Sequence, residues 1–136
     1  MTKTSFEENL GLKDLRIEGR KRLGKVVKTW EHDGIKFMIL DMVWADRVKV
    51  LAPMLHDYYC GYCNLPTKLD YQVAESDVDV HGGITFQRDE PDGTFTYGFD
   101  CAHALDEINP SLRDLNFITE ECESMAKQIM QLANEQ

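Results

Sequence analysis

Lys25-Val26-Val27-Lys28-Thr29-Trp30-Glu31-His32-Asp33-Gly34-Ile35-Lys36-Phe37-Met38-Ile39-Leu40 is the stretch whose reading decides the fold class. Two runs rich in β-branched and aromatic side chains flank Asp33-Gly34, a pair suited to the positive φ angles of a tight turn. The stretch therefore predicts a hairpin, Lys25 to Trp30 returning as Ile35 to Leu40. Further on, Tyr58-Tyr59-Cys60-Gly61-Tyr62-Cys63 reads as a strand stopped at Leu65-Pro66. Ile84-Thr85-Phe86 and the run Thr94 to Phe99 flank a strong turn signal, Asp89-Glu90-Pro91-Asp92-Gly93, and predict a second hairpin. The run Thr67 to Asp79 between them reads as a polar, acidic connection. Residues 44–56 are ambiguous: Trp44, Val48, Leu51 and Leu55 keep helical spacing, but Pro53 interrupts it.

The C-terminal stretch changes period. Ile118, Cys122, Met125, Ala126, Ile129 and Ala133 fall on one helical stripe, so a helix is expected from about Asn116 to Asn134. Asn116 is the expected cap, and Glu120 and Glu121 suit the positive end of the helix dipole. Strands followed by a helix define an α+β fold: an antiparallel sheet of about five strands, including two hairpins, with the long C-terminal helix on one face. Residues 1–24 read as an N-terminal basic arm or short helix, and 25–136 as a single α+β domain.

At 136 residues, 43% hydrophobic and 29% charged, the chain can close one core without staples. It has no apolar run of membrane-spanning length, and residues 1–8 lack the apolar segment of a secretory signal. A cytoplasmic, soluble protein is the expectation. The net charge of −9 argues against a nucleic-acid polymer as partner. That charge is uneven: residues 1–69 carry 12 basic and 9 acidic side chains, residues 70–136 carry 3 and 15. The basic cluster Arg16, Arg20, Lys21, Arg22, Lys25 and Lys28 is either a solvated face or an arm that contacts phosphate or a second subunit.

Chemistry-bearing residues gather in Asp77-Val78-Asp79-Val80-His81-Gly82-Gly83 and in Gly98-Phe99-Asp100-Cys101-Ala102-His103-Ala104-Leu105-Asp106. Each segment sets a histidine beside carboxylates and glycine near a strand end, where scaffolds present sites. Three readings compete with ordinary core packing. Cys60, Cys63, Cys101 and His103 offer a Cys3His zinc set, but on a regular strand residues three apart face opposite ways, so Cys60 and Cys63 converge only across a bulge. His81, Asp79, Asp100, His103 and Asp106 offer a divalent-metal or acid–base site for a phosphodiester. A pocket that binds without chemistry would use His81, Gly82, Gly83, Asp100 and His103, with Tyr59 or Tyr62 as a stacking face and Arg20 and Arg22 for phosphates.

The motifs Cys60-Gly61-Tyr62, Asp79-Val80-His81-Gly82-Gly83 and Gly98-Phe99-Asp100-Cys101-Ala102-His103 with Asp106 resemble a group of small proteins encoded by bacteriophages and prophages. Arg113-Asp114 and Glu120-Glu121-Cys122 extend the likeness, which covers roughly Tyr58 to Ala133. Cys63 departs from it, standing where the pattern has an aliphatic residue. The resemblance implies a phage setting, in which small non-structural proteins often counter host defence, some by sequestering nucleotide second messengers in homo-oligomers. The expectation is therefore a cytoplasmic homo-oligomer that captures a small anionic ligand, a cyclic nucleotide signal, without a cofactor. The alternatives are a metal-dependent phosphodiesterase at the same residues, with zinc or another divalent metal, and an acidic protein–protein inhibitor.

Overall fold

The computed structural model describes residues 15–16, 22–44, 57–103 and 106–135. The expected hairpin is there and runs longer at both ends: β2, Arg22–His32, returns as β3, Ile35–Trp44. Asp33 (φ 53°) and Gly34 (φ 77°) make the turn, with both central residues in the left-handed region that a two-residue hairpin loop requires. The register slips once, between Val26 and Lys28, and Val27 is the bulged residue. A short β1, Leu15–Arg16, pairs with Leu23 and Gly24 and forms one edge. Arg20 and the ambiguous stretch from residue 45 to 56 lie outside the described residues.

Antiparallel pairing continues through β4, Tyr58–Leu65, and the second hairpin, β5 (Phe86–Asp89) and β6 (Phe95–Asp100). The sheet order is β1-β2-β3-β4-β6-β5, so β4 and β6 lie side by side although 29 residues separate Leu65 from Phe95 in numbering only through an excursion of the chain. That excursion holds a helix, α1 (Tyr71–Asp77), where a polar connection was expected. The Asp70 carboxylate caps it, accepting from the N–H groups of Gln72 and Val73, and Ala74 is its buried anchor. One small buried residue is too faint a periodic signal to announce a two-turn helix.

The C-terminal helix, α2 (Leu115–Asn134), lies across one face of the sheet as expected, and Ile118, Cys122, Met125, Ala126 and Ile129 are its buried stripe. Its cap is Asp114, which accepts from Asn116 N–H at 2.9 Å, and not Asn116 itself. A 3-10 turn over Pro110–Arg113 brings the chain in two residues earlier than the stripe indicates. Alternation of side chains then sorts the sheet. Phe37, Ile39, Tyr59, Cys63, Leu65, Tyr97 and Phe99 face α2. Met38, Leu40, Met42, Cys60 and Tyr62 face the other way and are buried too. At the far side α2 reaches β2 by polar contacts, Trp30 Nε1 donating to Glu123 and Lys28 Nζ to Thr119. Among the described residues no helix is long and apolar enough to cross a membrane.

In the β4–β6 ladder, Gly61 pairs with Phe99 and Tyr62 with Gly98. Each glycine lies under an aromatic ring. A Cβ on Gly61 would come within 2.6 Å of Phe99 Cε1 and 2.5 Å of Cys122 Sγ, and one on Gly98 within 2.5 Å of Tyr62 Cδ1. The two pairs cover opposite faces of the sheet, and each ring fills the space that its partner's missing side chain leaves. Cys60-Gly61-Tyr62 and Gly98-Phe99 are thus packing motifs.

Candidate functional site

Beyond the ends of β4 and β6 the two histidine segments meet. His81 and His103 come edge to face, with ring centroids 5.7 Å apart and planes inclined by 67°. One carboxylate joins them: Asp106 Oδ2 lies 3.0 Å from His81 Nε2 and accepts from the backbone N–H of His103 at 2.9 Å. An ionised carboxylate only accepts, so in a neutral His81 the ring proton sits on Nε2 and Nδ1 carries the lone pair. Asp100 is equally engaged, accepting from Thr85 Oγ1 at 2.8 Å and from Ala102 N–H at 3.0 Å. Asp100 thus makes an Asx turn with Ala102, and Asp106 reaches back three residues to His103.

The segment before His81 is held from the helix. Glu121 accepts from His81 N–H at 3.0 Å. Gln128, two turns further along α2, grips the backbone of Asp79 twice, its oxygen accepting from the N–H at 2.7 Å and its Nε2 donating to the carbonyl at 2.8 Å. The chain then turns at Gly82 (φ 68°) and Gly83 (φ 80°), closed by Gly83 N–H to the Val80 carbonyl at 2.8 Å. Gly82 is required twice over. Its φ lies where L side chains are strained, and a Cβ there would fall 2.1 Å from His103 Nε2. That nitrogen is buried and makes no hydrogen bond; Asp100 Oδ1, at 3.5 Å, is close but not placed to accept. The ring as a whole keeps 37% of its side-chain exposure, so only the Nε2 edge is sealed.

Of the expected site residues, His81, Gly82, Gly83, Asp100 and His103 do converge. The two tyrosines do not offer a stacking face. Tyr59 carries the Arg113 guanidinium over its ring at 4.1 Å, and Arg113 is itself bidentate to Asp41 at 3.1 and 3.3 Å. Tyr62 is on the opposite face of the sheet from Tyr59, buried edge-on against Phe86 at 5.5 Å. Arg22 lies in β2, four places along the sheet order from the β5 edge. Asp106, Glu121, Gln128 and Thr85 complete the corner. Asp106 was visible in sequence as the acidic end of its motif and Glu121 as a helix-dipole residue in Glu120-Glu121-Cys122, whereas Gln128 was not singled out.

The Cys3His set is not assembled. The β4 ladder has no bulge, so Cys60 stands on one face with Tyr62 while Cys63 and Cys101 stand on the other under α2. Among the described residues no group of three His, Cys, Asp or Glu side chains is arranged to hold a metal ion. The thiols on the helix face are poor ligands and nucleophiles for a further reason. Burial pushes Cys101 up to about 12, with Asp106 and Asp100 adding to the shift, and burial likewise raises Cys63 and Cys122.

Comparison with known protein families, curated proteins and solved structures gives no match.

Proposed function

We propose that the chain is a phage-type cytoplasmic protein that captures a small ligand at the His81–His103 corner and releases it unchanged, the ligand being a cyclic nucleotide signal. The observation that carries this reading is two part-exposed imidazoles set edge to face, tied by one carboxylate that bonds the His81 ring and the His103 backbone N–H, beside a glycine turn that lets a ligand approach the backbone. Binding is favoured over turnover because the corner offers no free nucleophile. Thr85 is bonded to Asp100, and the nearby Cys101 thiol is buried and protonated at neutral pH.

Recognition would combine two kinds of contact. The imidazoles and the backbone at Gly82 and Gly83 meet the ligand's acceptors, while Asp100 and Asp106 receive ribose hydroxyls or exocyclic amines. The carboxylates oppose phosphate, so the phosphates must be met by protonated histidine or by the basic arm around Arg20 and Arg22, brought by a second subunit of a homo-oligomer. One observation favours a second reading: the His81–Asp106 pair at 3.0 Å is a carboxylate-oriented imidazole, the arrangement of a general base. Under that reading the protein is a phosphodiesterase whose substrate supplies its own nucleophile.

Thermal unfolding with a panel of cyclic di- and trinucleotides and cyclic ADP-ribose isomers tests the proposal. A ligand at 100 times its Kd adds about 2.7 kcal/mol, several degrees in Tm. The shift should vanish in His81→Ala and persist in His32→Ala. No shift with any compound sinks the nucleotide reading.

A further inference from the structure

His103 Nε2 is the described imidazole nitrogen that is buried and makes no hydrogen bond, which is rare enough in folded proteins to need a reason. A Cβ on Gly82, at positive φ in a two-glycine turn with no side chain to anchor it, would fall 2.1 Å from that nitrogen. Beside the buried Val80 side chain, polar ties from α2 hold that turn down: Glu121 on the His81 N–H and Gln128 on both backbone groups of Asp79. The His81 ring adds a fourth tie, to Asp106.

We propose that Asp79 to Gly83 is a latch over His103, and that Glu121 and Gln128 are the positioning residues that keep it shut. When it lifts at Gly82 and Gly83, His103 Nε2 becomes free to bond a ligand's acceptor or donor, and the closed turn then holds that ligand from above. The cost of the unpaired nitrogen in the closed state biases the latch toward a ligand that satisfies it. Glu121 and Gln128 are two turns apart on one side of α2, so a single rigid helix controls both ends of the grip. This rests on the reading of the corner as a ligand site only for its purpose; the latch itself is testable with no ligand present.

The probe is diethyl pyrocarbonate, which acylates an accessible imidazole nitrogen, read by peptide mass spectrometry on the full chain at neutral pH. His32, 58% exposed at the first hairpin, is the internal reference. The reagent favours Nε2, the sealed atom, so in the wild type His103 should label much more slowly than His32 although the rest of its ring is part-exposed. Gln128→Met keeps the side chain's length but loses both hydrogen bonds, and should raise His103 labelling about tenfold or more, as loss of two such bonds implies. Glu121→Leu should do the same, whereas Glu121→Gln, which still offers an oxygen to the His81 N–H, should stay near the wild-type rate. Labelling of His103 as fast as His32 in the wild type would overturn the latch. So would wild-type rates in both Gln128→Met and Glu121→Leu, or a rise shared equally by His32, which would mark general loosening. Failure of the nucleotide panel alone would leave these rates unchanged and touch only the proposed ligand.

Discussion

The β4–β6 ladder and the histidine corner are neighbours built on different terms. The ladder is dry. Gly61 under Phe99 and Gly98 under Tyr62 fit because of shape, and Cys122 fills what is left beneath Gly61. The corner adds polar contacts to the buried Val80, Ile84 and Cys101: Asp100, Asp106, Glu121 and Gln128 each bond a backbone group of another segment or loop residue. α2 serves both, with Cys122 packed into the ladder and its neighbour Glu121 holding His81. The motifs singled out in the sequence are therefore of two kinds. Cys60-Gly61-Tyr62 and Gly98-Phe99 make the sheet close; Asp79 to Gly83, Asp100, His103, Asp106 and Glu121 make the corner.

If the ladder is a matter of shape, Phe99→Ala should have the largest effect, about 4 kcal/mol of lost stability in urea unfolding. Gly61→Ala should cost about 3 kcal/mol by overpacking. The two should add less than fully, because removing the Phe99 ring relieves its share of the clash and leaves that with Cys122 Sγ. Additive losses would show that Phe99 is not what Gly61 accommodates.

The dry region should also betray itself in alkali. Cys63, Cys101 and Cys122 are held protonated by burial, above the ordinary thiol value of about 9. The unfolded chain releases these protons first, so the stability they contribute is whole below pH ~9 and is lost as pH rises toward the folded values. Each of the two fully buried thiols, Cys63 and Cys122, should lower stability by about 1.4 kcal/mol per pH unit in that window. A urea midpoint unchanged between pH 8.5 and 10.5 would contradict the buried assignment.

Smaller effects are expected in the corner. Gly82→Ala should cost about 2 kcal/mol, part from its positive φ and part from His103. In a His103→Ala background the same change should cost only about 1 kcal/mol, the backbone share. An equal cost in both backgrounds would separate Gly82 from His103. Asp106→Asn retains an acceptor for the His103 N–H and should cost about 1 kcal/mol. Its clearer sign should be altered nitrogen shifts at the His81 ring, with His32 unmoved.

The parts legible in the sequence were those carried by period or by turn chemistry. Asp33-Gly34 placed the first hairpin, Asp89 to Gly93 the second, and the stripe from Ile118 to Ile129 gave the face that α2 buries. Strict alternation also warned that Cys60 and Cys63 would part, and they do. What escaped was non-local. Nothing near Tyr59 in sequence announces that Arg113 will cover its ring, and nothing near Gln128 says that it will hold Asp79, 49 residues away. Tyr59 and Tyr62, three apart like the two cysteines, stand on opposite faces by the same alternation, and it is the packing of Phe86 against Tyr62 that the sequence does not announce. The α1 helix escaped because its stability comes from one cap and one buried alanine.

The most direct test of the central claim, that the corner captures a ligand without consuming it, is release on heating. Protein is mixed with the nucleotide that shifts its Tm, and free nucleotide is measured by chromatography before and after the protein is denatured. The account predicts that the free nucleotide falls in proportion to the protein added and returns intact after heating, with no fall for His81→Ala. A new product peak that grows with time at constant protein would contradict it and make the His81–Asp106 pair the base of an enzyme.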